Sequence, residues 1–231
     1  TTEDQVQLRQ FRTAELISYS NQSNITVGVS NLMPTSGVDN WRTEIQKAIN
    51  NWNSITGCRI RMIYTTSANP DIQITVDNTL QGHTVAKASW PKTGGKPGPT
   101  IWVNLKYAKE RELTSSEKEH HMTHELGHCL GLRHSYPEIP EGVKIPGTPD
   151  VDQNSVMYSG IIKKSWAGFS PYDLIAIRFL YPAELPKVTD ISGLQRPNVG
   201  EYAYYKAVLD YMPNEVTLKA SEITYNWTVT G

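Results

Sequence analysis

The segment from His124 to His134, H-E-L-G-H-C-L-G-L-R-H, decides the fold of this chain. On a helix, residues four apart lie on the same face, about one turn from each other. His124 and His128 therefore offer two imidazoles to a single metal ion. Glu125 lies roughly 100° around the helix from His124, where its carboxylate flanks the metal without binding it. This position suits a general base that acts on metal-activated water.

His134 joins the same ion only if the helix ends before it, because a continuous helix would place it roughly 15 Å along the axis from His124. Gly131 is placed to end the helix, since glycine adopts the left-handed conformation that commonly terminates helices. Three histidines and an open fourth position are typical of catalytic zinc, whereas structural zinc sites are closed by four ligands. We therefore predict one catalytic zinc ion bound by His124, His128 and His134, with Glu125 as the catalytic residue.

The segment resembles the long zinc-binding signature of the metzincin clan of metallopeptidases, H-E-x-x-H-x-x-G-x-x-H followed by a Met-turn. Residues 154–160, N-S-V-M-Y-S-G, follow the third histidine at a suitable distance, and the resemblance implies that Met157 underlies the metal site. Both stretches are most similar to bacterial secreted HEIGH-type metallopeptidases. Astacin-like and serralysin-like members carry a tyrosine ligand two residues after the methionine. Here Ser159 holds that position and the tyrosine is Tyr158, so we expect no tyrosine ligand.

The fold class that follows is α+β: a metzincin-like (zincin) catalytic domain over residues 1–185, with a twisted mixed sheet, a zinc-site helix and a Met-turn. The resemblance also implies that residues 161–169 line the pocket for the substrate residue after the cleaved bond. Lys163 and Lys164 would favour an acidic side chain there, or else form a solvated charge pair. A secreted or cell-surface, extracellular and bacterial location is implied as well.

Hydrophobic periodicity predicts the elements of this domain. Residues 1–23 are a lead-in helix or the remnant of a propeptide. The zinc helix is capped by Thr114 with Glu117, or by Ser116 with Glu119. By the resemblance, the strand at 101–105 is the edge strand against which an extended peptide pairs; the alternative is an ordinary sheet strand. The other predicted elements are strands at 24–30, 59–64 and 71–76, a helix at 39–55, and a last helix from Ser170 to Tyr181.

Composition changes after Leu185, and residues 186–231 resemble a partial all-β immunoglobulin-like segment. Residues 223–230 alternate between apolar and polar side chains, which predicts a half-buried strand. Residues 188–193 and 197–205 look like opening strands of such a repeat. A complete sandwich needs roughly 100 residues, so either the chain is truncated or this segment packs on the catalytic domain.

The bulk composition describes a soluble globular protein. The chain has 231 residues, 38% hydrophobic and 19% charged, with a formal net charge of -1. This charge gives no reason to expect nucleic acid or an acidic membrane surface as a partner. No apolar run approaches the ~20 residues of a transmembrane segment, and any export signal is expected to have been cleaved or to lie outside this sequence. We expect a monomer.

A second set of three histidines must be weighed. A metal bound by His120, His124 and His128 would lie along one helix face and would leave Glu125 and Gly131 without a function. We therefore favour the first set. We expect His83 and His121 to be solvated or hydrogen-bonded rather than metal ligands.

The cysteines and loop carboxylates are less informative. We expect Cys58 and Cys129 to be two buried free thiols, with a disulfide between them as the alternative. Neither has the spacing of a zinc ligand. Asp150 and Asp152 allow a calcium site, although two carboxylates in a loop are usually just solvated.

These observations predict a secreted zinc endopeptidase whose substrate is a peptide or protein in an extended conformation. The alternative is a zinc-containing surface-adhesion or matrix-binding protein without proteolytic activity. Glu125 argues against it, because a structural zinc site has no use for that carboxylate. A third hypothesis is a zinc hydrolase acting on a non-peptide amide.

Overall fold

The computed structural model describes residues 10–135, 142–149 and 151–184, and the backbone of two further strands. The strands are β1 (Phe11–Arg12), β2 (Ile25–Val29), β3 (Met62–Thr65), β4 (Ile72–Val76), β5 (Ala86–Ala88), β6 (Thr100–Val103), β7 (Val143–Lys144), β8 (Val188–Gly193) and β9 (Tyr205–Leu209). The helices are α1 (Arg42–Asn53), α2 (Leu105–Glu110), α3 (Ser115–Cys129) and α4 (Pro171–Leu180).

Five of these strands form a mixed sheet with the order β3-β2-β4-β6-β5. The first four run parallel, and β5 runs antiparallel to β6. The central strands bury β-branched side chains: Ile25, Val27, Ile72, Ile74, Ile101 and Val103. Such apolar strands are typical of a parallel sheet inside a domain. The predicted α+β fold with a mixed sheet and a zinc-site helix is confirmed.

Helix α1 carries one apolar face, which it buries against α3. The buried side chains recur at intervals of three and four residues: Ile45, Ala48, Ile49 and Trp52. The Trp52 indole Nε1–H also donates to the Thr123 carbonyl at 2.9 Å, so α1 and α3 are joined by a buried hydrogen bond as well as by packing. Helix α3 in turn lies against β5 and β6. This arrangement fixes α3 between α1 and the last two strands of the sheet.

The edge strand differs from the prediction. The predicted strand 101–105 is β6, which ends at Val103, and it lies inside the sheet between β4 and β5. Asn104 instead caps α2, accepting a hydrogen bond from the Tyr107 N–H at 2.9 Å. The edge strand is β5, whose sequence Ala-Lys-Ala has none of the β-branched or aromatic residues that predict a strand.

Other predicted elements are confirmed with shifted ends. The helix predicted at 39–55 is α1, and the last helix is α4, which Ser170 caps by accepting from the Asp173 N–H. The described part of the lead-in, residues 10–23, contains β1 and a single 3₁₀ turn rather than an α-helix; residues 1–9 lie outside the described residues.

Strands β8 and β9 pair as an antiparallel hairpin, in agreement with the strand predicted at 188–193. The strand predicted at 223–230 lies outside the described residues. The partial immunoglobulin-like segment and the division of the chain at residue 185 therefore stay predictions. None of the helices in the described ranges is long and apolar enough to cross a membrane.

Candidate metal centre

Helix α3 begins with the first of the two predicted caps. Thr114 Oγ1 accepts from the Glu117 N–H at 3.3 Å, and the Glu117 carboxylate accepts from the Thr114 N–H at 2.7 Å. This capping box satisfies two of the N–H groups that a helix start leaves without partners. The helix then continues to Cys129 without interruption. It thereby holds His124 and His128 one turn apart.

Helix α3 ends at the predicted glycine. Gly131 has φ +91°, and its N–H donates to the His128 carbonyl at 2.9 Å, while the Leu132 N–H donates to the Gly127 carbonyl at 3.0 Å. These two bonds form a Schellman motif, the usual way for a helix to end on a left-handed glycine. The chain then reverses direction, and His134 returns to the two helix histidines.

The three predicted histidines come together. Their rings have centroid separations of 4.6, 5.2 and 4.7 Å, and their candidate ligand atoms all lie within 4.8 Å of one another. The Nε2 atoms of His128 and His134 are 3.1 Å apart. Two nitrogens on one tetrahedral zinc, with Zn–N distances of about 2.0–2.1 Å, are about 3.3 Å apart. The group therefore has the spacing of a zinc site.

Backbone carbonyls orient the two helix histidines. His124 Nδ1 lies 2.7 Å from the Val156 carbonyl, and His128 Nδ1 lies 2.8 Å from the Leu132 carbonyl. A carbonyl oxygen accepts only, so each Nδ1 carries the proton and each Nε2 keeps its lone pair. Metal-binding histidines usually donate the N–H of their other ring nitrogen in this way.

Burial keeps these rings uncharged. Burial, followed by the neighbouring histidine rings, lowers the pKa of His124 well below its usual range and the pKa of His128 to about 3. The pKa of His134 is also lowered, first by burial and then by the Arg133 guanidinium. Metal ligation requires neutral imidazole, so the donor set fits a zinc ion.

Glu125 lies beside this group and is buried. Burial raises the pKa of its carboxyl to about 8, against the opposing effect of the Ala88 N–H, which donates to it from β5. The second carboxylate oxygen, Oε2, is buried and has no hydrogen-bond partner among the described residues. The carboxylate therefore has one oxygen held by the edge strand and the other uncommitted.

Met157 packs beneath α3 and is buried. A Cβ added to Gly127 would lie 2.5 Å from Met157 Sδ and 3.2 Å from the Trp52 ring. Glycine is therefore required between the two ligands of the helix, because any side chain there would displace the methionine. The Met157 carbonyl accepts from the Ser135 N–H at 2.9 Å, which ties this turn to the residue after the third histidine.

Sequence reasoning missed Asp173, which holds this turn from α4. Its buried carboxylate accepts from Ser155 Oγ at 2.5 Å, from the Val156 N–H at 2.8 Å and from the Ser170 N–H at 3.0 Å. The pattern Ser170-x-x-Asp173 signals a helix cap, but nothing in the sequence links it to Val156. Asp173 thus supports the carbonyl that orients His124.

A cavity of about 430 Å³, here called the cleft cavity, opens beside the metal centre. Residues from β5 and the segment before it, from α3 and from the segment after Met157 line it, among them Val85, Ala86, His120, Glu125, Tyr158 and Ile162. Tyr158 lies on the cavity wall, and the expectation that it is not a metal ligand stays a prediction.

The segment at 161–169 was only partly predicted. Ile161 and Ile162 line the cleft cavity, but Phe169 packs on Trp52 with ring centroids 4.7 Å apart, away from the cavity. Lys164 Nζ donates to two backbone carbonyls, at 2.9 and 3.0 Å, and is therefore not a freely solvated charge.

The remaining predicted residues lie outside the metal centre. His121 and His83 are hydrogen-bonded, to the Ile162 carbonyl and to the Tyr107 hydroxyl. Cys58 and Cys129 are both free and buried, as expected.

The calcium prediction gains no support from the described residues. Asp152 accepts from the Ser170 hydroxyl and, at 3.0 Å, from the Asn154 N–H. Its carboxylate is therefore used within the protein. Asp150 lies outside the described residues, so a calcium site there stays a prediction.

Comparison with known proteins identifies the class. The family model described as dual-action HEIGH metallo-peptidase matches residues 1–137, and the chain belongs to this family. It is therefore a zinc metallopeptidase, and its substrates are proteins or peptides. One solved structure that it resembles, the structure of myroilysin, has 16% sequence identity and a TM-score of 0.48 over 71% of this chain and 82% of that chain. No curated protein matches the chain significantly.

Proposed function

We propose that the chain is an extracellular endopeptidase in which His124, His128 and His134 bind the catalytic zinc and Glu125 is the general base. The convergence of three neutral imidazoles with an uncommitted buried carboxylate beside an open cavity carries this proposal. The adhesion hypothesis has no use for such a carboxylate. The extracellular location is supported by the resemblance to secreted bacterial peptidases; recovery of the protein only from the cells of its source, and not from the medium, would contradict it.

Several residues of this chain have separate roles in the proposed reaction. Zinc, when bound, supplies a Lewis acid that activates water and polarises the peptide carbonyl. Glu125 takes a proton from the attacking water and delivers it to the leaving amine. The Val156 and Leu132 carbonyls keep the ligand rings in the required tautomer. Met157 supports the helix histidines from below, in the role of a Met-turn.

The edge strand β5 is the proposed binding site for the substrate backbone. The Ser89 N–H donates to the Thr100 carbonyl, and the Val85 carbonyl accepts from the Asn104 N–H. Val85 and Ser89, on either side of β5, therefore use these backbone groups to pair with the chain of β6. In an antiparallel strand, the residues between such paired positions point their N–H and carbonyl groups away from the neighbouring strand. Ala86 and Ala88 therefore direct theirs towards the open edge, where Ala88 already contacts Glu125. An extended peptide would pair with Ala86.

Replacement of the general base tests the mechanism. We expect Glu125→Gln to keep one zinc per chain and to lower kcat/KM for an unstructured protein such as casein by about 10²–10⁴-fold, the usual contribution of general acid–base catalysis. Zinc is measured by elemental analysis of the purified variant.

The matched control is Glu119→Gln, the same change on the same helix. Glu119 lies outside the cleft cavity, 3.7 Å from Lys47, so this variant should keep both zinc and activity. Cleavage by Glu125→Gln at the wild-type rate would show that another group is the base.

A further inference from the structure

His120 is a buried histidine that the mechanism does not use. It lies on α3 one turn before His124 and lines the cleft cavity. Only 4% of its surface is exposed, yet it makes no hydrogen bond to any residue that the structure describes. Its ring nitrogens are therefore left for water or for a polar group that enters the cavity.

Besides the proposed metal ligands His124 and His134, two other histidines line the cavity, and they differ from His120 in this respect. His121 Nε2 lies 2.8 Å from the Ile162 carbonyl, and His83 Nδ1 lies 2.9 Å from the Tyr107 hydroxyl. Both have a protein partner. Apart from the proposed metal ligands, His120 is therefore the histidine of the described cavity wall with no hydrogen bond from either ring nitrogen to a described residue.

The rest of the wall limits what that ligand can be. Val85, Ile161 and Ile162 are apolar, and among the described residues Glu125 is the only acidic group that lines the cavity. A cationic side chain would therefore compete for the carboxylate that the reaction needs. Burial, with smaller effects from His121 and Lys164, lowers the pKa of His120 to about 3, so its ring offers one donor and one acceptor.

We propose that His120 determines specificity: its ring hydrogen-bonds the substrate side chain that enters the cleft cavity, so that a carboxamide such as glutamine is preferred to an aliphatic side chain of the same length. A carboxamide carries both a donor and an acceptor and matches the neutral imidazole. An aliphatic side chain leaves the ring without a hydrogen-bond partner. A pocket discriminates more strongly through a lost hydrogen bond than through a missing methylene group. This inference rests on the proposed function, since it places the scissile bond beside His124 and Glu125.

Two peptide hydroxamates test the inference by binding alone. They are identical except that the residue directed into the cavity is glutamine in one and norleucine, an aliphatic residue of similar length, in the other. Binding to zinc-loaded protein is measured by calorimetry, so no cleavage is needed. We expect the glutamine compound to bind the wild-type protein about 10-fold more tightly, the worth of roughly one buried hydrogen bond, and His120→Leu to abolish or reverse this preference.

Glu119→Gln is the control, because Glu119 lies on the same helix one residue before His120 but outside the cleft cavity. It should keep the glutamine preference, and zinc content should be the same in all three proteins. Equal binding of both compounds by the wild-type protein, or an unchanged preference in His120→Leu, would overturn the role of His120 while leaving the metal centre intact. Failure of both compounds to bind zinc-loaded protein would instead overturn the placement of the zinc, and this inference with it.

Discussion

At the scale of single residues, Gly131 determines whether the third ligand reaches the metal. Its φ of +91° is the conformation that lets α3 end and the chain turn back. It is also closely surrounded: an added Cβ would lie 2.8 Å from Leu16 Cδ2 and 2.9 Å from Thr13 Oγ1. Both the backbone conformation and the surrounding side chains therefore require glycine.

We expect Gly131→Ala to weaken zinc binding by about 10–100-fold, as loss of a group that orients a metal ligand typically does. The left-handed backbone costs an alanine roughly 1–2 kcal/mol, and the contacts with Leu16 and Thr13 add to this by displacing the turn before His134. Zinc affinity is measured by competition with a chelator, and stability by urea unfolding.

Gly168→Ala separates the effect of the left-handed backbone from the effect of the close side-chain contacts. Gly168 has φ +95°, but an added Cβ there meets nothing within 4 Å. This variant should lose only the backbone contribution to stability and should bind zinc like the wild-type protein. Wild-type zinc affinity in Gly131→Ala would show that the turn does not position His134.

At the scale of elements, strand β5 connects the proposed substrate-binding edge with Glu125, the proposed general base. Ala88 donates to Glu125, and two residues earlier Ala86 directs its N–H to the open edge. We expect Ala86→Pro to lower kcat/KM for an unstructured protein by about 10-fold, because it removes one hydrogen bond to the substrate backbone. An edge strand tolerates proline where the N–H is not used within the sheet.

The comparison variant is Ala86→Ser, which keeps the N–H and should cleave like the wild-type protein. Both variants should bind one zinc and unfold at similar urea concentrations. If Ala86→Pro retains wild-type kcat/KM, the substrate does not pair with β5 at this residue.

The sequence predicts the local features of this site but not the partners that are distant along the chain. Helix α3, its cap, its two ligands and its glycine end were predicted, because each depends on residues within a few positions of one another. The partners that complete the centre are distant: the Val156 carbonyl is 32 residues from His124, and β5 is positioned by its pairing with β6 and its contacts with α3. Backbone carbonyls and a three-residue strand carry no side-chain pattern, so tertiary contacts alone define them.

At the scale of the whole molecule, the metal centre joins parts of the chain that are distant in sequence. Two ligands come from α3 and the third from the reversed segment after Gly131. Through Val156 the centre also reaches the turn that Asp173 holds from α4. A bound ion is therefore expected to stabilise the described domain as a unit, since the arrangement of ligands that binds it exists only in the folded state.

We expect removal of zinc to lower the melting temperature. An ion present at 1,000 times its Kd contributes about 4 kcal/mol to the free energy of unfolding, which corresponds to about 8–16 °C for a domain of this size. Calorimetric scans with and without a zinc chelator measure the difference. In His134→Ala, which lacks one ligand, the chelator should cause a much smaller change, whereas in His83→Ala it should act as in the wild-type protein. Equal melting temperatures of the zinc-loaded wild-type protein with and without chelator would contradict this prediction. They would mean that zinc binding does not require the folded arrangement of the three histidines, and that these histidines do not form the metal centre.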